Sequence, residues 1–370
     1  MESAGGLIRK KQTRHGAMLA GIAAINVAGC QQTTAHLITV TRPNSKSSQP
    51  GHAPSSDSTA LSAWRIGKPM NRGAMFAGTV ALPNGRIIVI SGSTTDNGKR
   101  RITNAVRVYD PLQNTWNELS PIPTPRTQPG AAVGGDGKIY VIGGGDPQRQ
   151  KNIVEVYDPR TNTWARRHSM PTPREGCSVV AAKGADGRVR IYVMGGRDRS
   201  TPSDNLSTVE AYDPVTDTWI ARAPMPTPRH AFAAALGPDG RIYAMGGSNG
   251  AVFCTDIVEI YDPVTNAWIR GTSLPGGREC AAAVSTPGPD GEVLVLAGWD
   301  RRSWPLASAV AYSPRTKTWR PLLPMPTAGA AIGAVAIPGM DGTIHVYVVG
   351  GIFRETAIEE YSFRSGAARR

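Results

Sequence analysis

The sequence predicts an all-β fold in which six small antiparallel sheets stack radially, a six-bladed β-propeller. Three observations carry that expectation. Glycine and proline are abundant, 42 and 30 in 370 residues, while aromatic residues make up only 6%; such a composition suits frequent turns and short strands better than long helices. Tryptophans recur at Trp64, Trp116, Trp164, Trp219, Trp268 and Trp319, at intervals of 52, 48, 55, 49 and 51 residues. Before five of them stands one phrase in five versions, VYDPLQNTW, VYDPRTNTW, AYDPVTDTW, IYDPVTNAW and AYSPRTKTW. Self-similarity at a fixed period of this size marks a repeat architecture.

Each unit reads as four strands. The first is a run of small residues, GAAV at Gly130–Val133. A Gly-Asp-Gly turn within GGDGK follows, where Asp-Gly supplies the positive φ of a tight hairpin. The second strand is an apolar run ending in glycine, IYVIGG. After a variable loop comes the third, IVEVYDP, whose Asp-Pro opens a type I turn with Pro pre-set at its second position. The tryptophan lies on the fourth, outermost strand. Strand alternation gives every sheet two faces that need cover, and radial stacking of neighbours supplies it.

The double glycine, the spaced tyrosine and the tryptophan at a period near fifty resemble the kelch repeat, from Trp64 to about Phe363. Departures are local: Ser91-Gly92 and Ala297-Gly298 replace Gly-Gly, and Ser313 and Ser362 replace the Asp after Tyr. A sixth run, VYVVGG at Val346–Gly351, has no tryptophan after it, and Trp64 has no strands before it. The Trp64 segment is therefore expected to be the outer strand of the last blade, closing the ring. The propeller is expected over residues 62–364, with a short tail at 365–370.

The front of the chain carries an address. Residues 1–29 join a basic stretch, IRKKQTRHG, to a thirteen-residue apolar run, AMLAGIAAINVAG. That run is too short for a bilayer span of ~20 residues and has the layout of a signal peptide. Val27-Ala28-Gly29-Cys30 resembles a bacterial lipobox, which implies lipidation at Cys30 and residence at the cell envelope, periplasmic or at the outer membrane or surface, with the lipid as the only membrane attachment. Residues 30–61 are rich in Ser and Pro and poor in bulky apolar side chains, the expected composition of a disordered tether. The remaining cysteines, Cys177, Cys254 and Cys280, are an odd number and make no disulfide framework.

The phrase MPTPR, with its near copy IPTPR, marks each handover between blades. Its prolines hold an extended crossing. Its arginine enters the innermost strand, so Arg72, Arg126, Arg174, Arg229 and Arg278 are expected near the central mouth of one face; the sixth blade reads TAGAA instead. Two roles fit them: bonding to carbonyls and carboxylates inside the fold, or forming a cationic mouth, since guanidinium offers bidentate donors to carboxylate or phosphate. In kelch proteins that bind acidic peptides, arginines at this place resemble such a site. Trp299 and Trp304, on a variable loop of the same face, are candidates for stacking on a ligand.

The formal net charge of +13 favours an acidic partner, an anionic glycan or an acidic protein. No basic block is interleaved with aromatics, so nucleic acid is not expected. No cofactor or metal is expected, because the histidines are scattered and no catalytic motif of known spacing appears. The copper radical oxidases of kelch-like fold need a histidine, tyrosine and cysteine set that this chain does not assemble. The fold also resembles the six-bladed sialic-acid mutarotases. That resemblance keeps Glu175, Glu279 and His230, which follow three of the arginines, as candidate acid/base residues. The expectation is a monomeric binding propeller rather than an enzyme.

Overall fold

The computed structural model describes residues 63–199 and 204–364. The expected signal peptide, Cys30, the expected tether and the 365–370 tail lie outside the described residues. Six four-stranded antiparallel sheets make up the described chain, joined by one two-stranded hairpin. Blade 3 shows the plan: Ser178–Lys183, Val189–Met194, Val209–Asp213 and Thr218–Arg222 pair in chain order from the axis outward. The innermost strands of blades 1 to 6 are Gly78–Ala81, Gly130–Val133, Ser178–Lys183, Ala233–Leu236, Ala282–Ser285 and Gly333–Pro338. Each packs on the next, and the sixth packs on the first. Second strands are buried on both faces, as Ile139–Ile142 and Val293–Leu296 illustrate. They read as continuous apolar runs because blades cover them from either side.

Closure of the ring follows the expected route. Ala63–Ile66 pairs antiparallel with Ile358–Arg364 and completes blade 6, with Trp64 opposite Tyr361. The tryptophans show what this strand does. Each stacks or tilts against the tyrosine of its own blade, at 5.2 Å between ring centroids for Trp64 and Tyr361. Each indole Nε1 also donates to a backbone carbonyl on the exit segment of the preceding blade: Trp116 to Lys68, Trp164 to Ser120, Trp219 to His168, Trp268 to Ala223 and Trp319 to Thr272. Trp64 makes the same bond to Leu323, at 3.1 Å, across the join between the two ends of the chain. The recurring residue is thus a latch between neighbouring blades at the outer rim.

A second latch lies nearer the axis and explains the glycines. The last glycine of every second-strand run donates its N–H to the residue in the arginine position of the next blade, for example Gly144 to Arg174 and Gly196 to Arg229, at 2.9 and 3.0 Å. Those glycines hold φ near +90°, and a Cβ at Gly196 would come within 2.9 Å of the Glu175 carbonyl. The glycine before it is less constrained: Ser91 and Ala297 take its place with φ of 58°, a left-handed conformation open to other residues at modest cost. The hairpin Ser93–Asp96 with Lys99–Ile102, inside the variable loop of blade 1, has no counterpart among the described residues of the other blades.

Trp64→Ala removes both the ring contact and the indole bond that join the chain ends. It is expected to destabilise the propeller by about 2 kcal/mol or more, seen as a lower urea midpoint at unchanged slope; an unchanged midpoint would show that this strand does not close the ring.

Candidate functional site

The arginines of the repeat do not face the mouth. Arg126, Arg174 and Arg229 are fully buried, at 0% exposure, and their guanidiniums turn into their own blades. Arg126 donates from Nε to the Gly143 carbonyl, from Nη1 to the Thr124 carbonyl and from Nη2 to the Val141 carbonyl, at 2.8, 2.7 and 3.0 Å. Its Nη1 also meets Glu155 Oε2 at 2.5 Å. Arg174 pairs with Glu210 at 2.5 Å, and Arg229 pairs with Glu259. The threonine of the PTPR phrase completes each set: Thr124, Thr172 and Thr227 donate to the other oxygen of Glu155, Glu210 and Glu259. Burial lowers the pKa of all three arginines, and the paired carboxylate works against that shift. Of the two roles open at the sequence level, the structure displays the internal one, with the carboxylate drawn from the same blade.

The other blades depart from this set in instructive ways. Arg72 is not an equivalent: it is exposed and precedes the arginine slot, which in blade 1 is filled by Ala74, whose carbonyl takes the Gly351 N–H. The glutamate slot of blade 1 holds Arg107, which pairs with Glu118 at 3.0 Å. In blade 6 the arginine slot holds Gly329, and a guanidinium arrives from the variable loop instead. Arg354 lies 3.0 Å from Glu359, and its Cδ would be 2.6 Å from a Cβ on Gly329. Arg354 carries no repeat signature of its own; the missing arginine in TAGAA, facing an intact IEEY, is its sequence signal. Blade 5 keeps Arg278 at 4% exposure but has Val310 in the glutamate slot and Gly276 in the threonine slot. Burial alone brings that guanidinium down to about 10.

The axis itself is narrow. Phe76, Gln128, Gly176, Ala231, Cys280 and Ala331, one from each blade, all hold φ between 52° and 61°. Their N–H groups bond around the ring, as in Gln128 to Phe76, Ala231 to Gly176, Cys280 to Ala231 and Ala331 to Cys280. With the residue after each, they line a cavity of about 130 Å³. Cys177 and Cys280 line this cavity, and Cys254 is buried elsewhere. Burial pushes the Cys177 thiol up to about 11.

Just outside this ring stand the residues that follow the arginine position: Met75, Thr127, Glu175, His230, Glu279 and Ala330. Each bridges a variable-loop residue, among them Arg197 opposite Glu175 and Trp299 opposite Glu279. Glu175, Glu279 and His230 are therefore brought together at the mouth, all buried. Glu175 Oε1 accepts from Arg197 and Arg199, at 2.8 Å and 2.6 Å. His230 Nδ1 lies 2.6 Å from Asn205 Oδ1. Arg197, Arg199 and Asn205 were not singled out by sequence, because the loops that carry them do not repeat. Trp299 packs edge-on against Phe353 at 5.7 Å, and Trp304 is 67% exposed on the same loop. Blades 3 to 5 thus bring Glu175, His230 and Glu279 to the mouth, and blades 6 and 1 bring Ala330 and Met75, with Arg100 over the Phe76 ring at 4.7 Å. Among the described residues no group of three or more His, Cys, Asp or Glu is placed to hold a metal ion.

The sequence matches the KLHDC2/KLHL20/DRC7 Kelch-repeats domain over residues 60–229 and the Kelch motif over residues 229–275. Mouse Kelch-like protein 35 is 27% identical over 201 residues, 53% of this chain and 32% of that protein. Human Kelch repeat and BTB domain-containing protein 12 is 31% identical over 178 residues, 45% of this chain and 28% of that protein. The chain therefore spans about a third of the length of these relatives. The N-acetylneuraminate epimerase of Pasteurella multocida (strain Pm70) is 43% identical over 63 residues, 16% of this chain and 17% of the epimerase. The solved structure of YjhT superposes with a TM-score of 0.60 over 79% of this chain and 95% of that one, at 16% identity, a likeness of fold. With six blades of the repeat plan and kelch matches across more than half its length, the chain belongs to the kelch-repeat family.

Proposed function

We propose that this propeller is a binding module that engages an acidic macromolecule, a protein or an anionic glycan, across its mouth face. The carrying observation is a set of exposed aromatic tips on the variable loops of three consecutive blades: Phe253, Trp304 and Phe353, at 48%, 67% and 70% exposure. The loops touch, through Arg301 Nε to the Cys254 carbonyl at 3.5 Å and through the Trp299–Phe353 contact, so the tips belong to one surface. Arg301 and Arg302 are exposed beside Trp304. Aromatic and arginine side chains together are the usual composition of interface anchors. The cavity of about 130 Å³ favours contact across the face over enclosure, since pockets that take drug-sized ligands run to ~300–1,000 Å³. The net charge of +13 favours an acidic partner.

Arrays of acidic peptides and acidic glycans should retain the propeller, and a Phe253→Ser/Trp304→Ser/Phe353→Ser variant should bind at least tenfold more weakly, as expected when anchors are lost. Equal binding by the variant, or indifference of the wild type to ligand charge, contradicts the proposal. A second reading, a carbohydrate-active enzyme, is favoured by the gathering of Glu175, Glu279 and His230 at the mouth and by the similarity to the N-acetylneuraminate epimerase. It requires that the wild type accelerate exchange of the acidic sugar's anomers in NMR and that Glu175→Gln or Glu279→Gln abolish it; no acceleration by the wild type removes this reading.

We further propose that the module is held at a bacterial envelope by lipid on Cys30, on the strength of the basic stretch, apolar run and small-residue pair ahead of that cysteine. Cys30→Ser should abolish acyl labelling in cells, and persistent labelling refutes the anchor.

A further inference from the structure

Blade 5 lacks a carboxylate where its sisters have one. In blades 2, 3 and 4 the buried guanidinium is met by a glutamate from the third strand and by the PTPR threonine. In blade 5 the cation remains and both partners are gone. Val310 occupies the glutamate position, paired with Val295 in the register that puts Glu210 opposite Val193. A Cβ on the exposed Gly276 would meet nothing within 4 Å, so the threonine's place is open space. Arg278 is 4% exposed. Its bonds are to carbonyls alone, those of Gly276, Ala297 and Ser308, at 3.4, 3.3 and 3.5 Å, longer than the Arg126 set. Among the described residues no carboxylate pairs with it. A buried cation without a counter-charge is costly, and the open side beside Gly276 gives an anion a way in.

We propose that Arg278 binds a carboxylate supplied from outside the chain, seated where Glu155, Glu210 and Glu259 place theirs in the sister blades. The guanidinium edge freed by the Val310 replacement supplies the donors, and Gly276 leaves the room. This site adjoins the aromatic mouth surface, since Gly277 lies against the Cys254 carbonyl and the Arg278 N–H donates to the Thr255 carbonyl, but it does not depend on that surface binding anything. Two sources fit the chemistry, a free small carboxylate or an Asp or Glu side chain of a partner.

The test uses thermal unfolding in sodium acetate, exchanged against sodium chloride at constant ionic strength. Wild type should gain several degrees between 1 and 100 mM acetate, roughly as mass action on one millimolar site requires. Gly276→Thr/Val310→Glu, which rebuilds the internal set, should start from a higher melting temperature and show no acetate dependence. The same slope in both proteins overturns the proposal, as does a wild type with no slope. If the double variant does not fold, Arg278→Met replaces it: an acetate dependence that survives loss of the cation overturns the proposal, and its disappearance supports it. Repeating the titration with a hexaglutamate peptide at equal carboxylate concentration separates the sources. A larger shift for the peptide assigns the site to a partner's acidic side chain, and an equal or smaller shift assigns it to a free carboxylate.

Discussion

The structure depends on a charge buried at the crossings into blades 2 to 5. The chain must pass from an outer strand to the next innermost strand across one face, over carbonyls at the ends of the inner strands that need donors. In blades 2 to 4 one guanidinium answers that need, donating to carbonyls around it and to one glutamate. A planar fork with five donors suits this place, and a lysine could not make the same set of bonds. The carboxylate keeps the buried cation tolerable; removing either partner strands the other, at a typical cost of about 3–5 kcal/mol.

Around that pair the rest of the blade falls into place. The arginine's own carbonyl receives the glycine N–H of the preceding blade. Farther out, the tryptophan indole bonds the preceding blade's exit segment. Each joint between blades is thus fastened near the axis and at the rim, with apolar second strands packed between. Blade 6 shows that the pairing is sought even when its usual donor is absent, since Arg354 reaches Glu359 from a loop over the side-chain-free Gly329. Blade 5 shows the opposite case, a retained cation that meets only carbonyls and no carboxylate among the described residues.

Much of this was legible in sequence. The spacing of the tryptophans, the glycine that ends each second strand and the unfinished copies at both ends specify six blades and the closing strand, because each reflects a backbone requirement that recurs. The fate of the arginines was only half legible. Their place beside the innermost strand could be read, but the direction of the guanidinium depends on a glutamate some thirty residues later, in a strand whose alternation points it inward. Arg72 misled because it lies near the right place in a blade whose crossing has diverged. Arg197, Arg199 and Asn205 were invisible, since non-repeating loops carry no pattern to compare. The exposed tips Phe253 and Phe353 were missed for the same reason.

The repeated arginine of blades 2 to 4 is an internal clamp. A double-mutant cycle on Arg229 and Glu259, with Arg229→Met, Glu259→Gln and the pair together compared by urea unfolding, tests it most directly. The clamp predicts that each single change costs several kcal/mol and that the double change costs clearly less than their sum, by about 2 kcal/mol. Small single effects that simply add, within about 0.5 kcal/mol, would contradict it and return the arginine to the mouth.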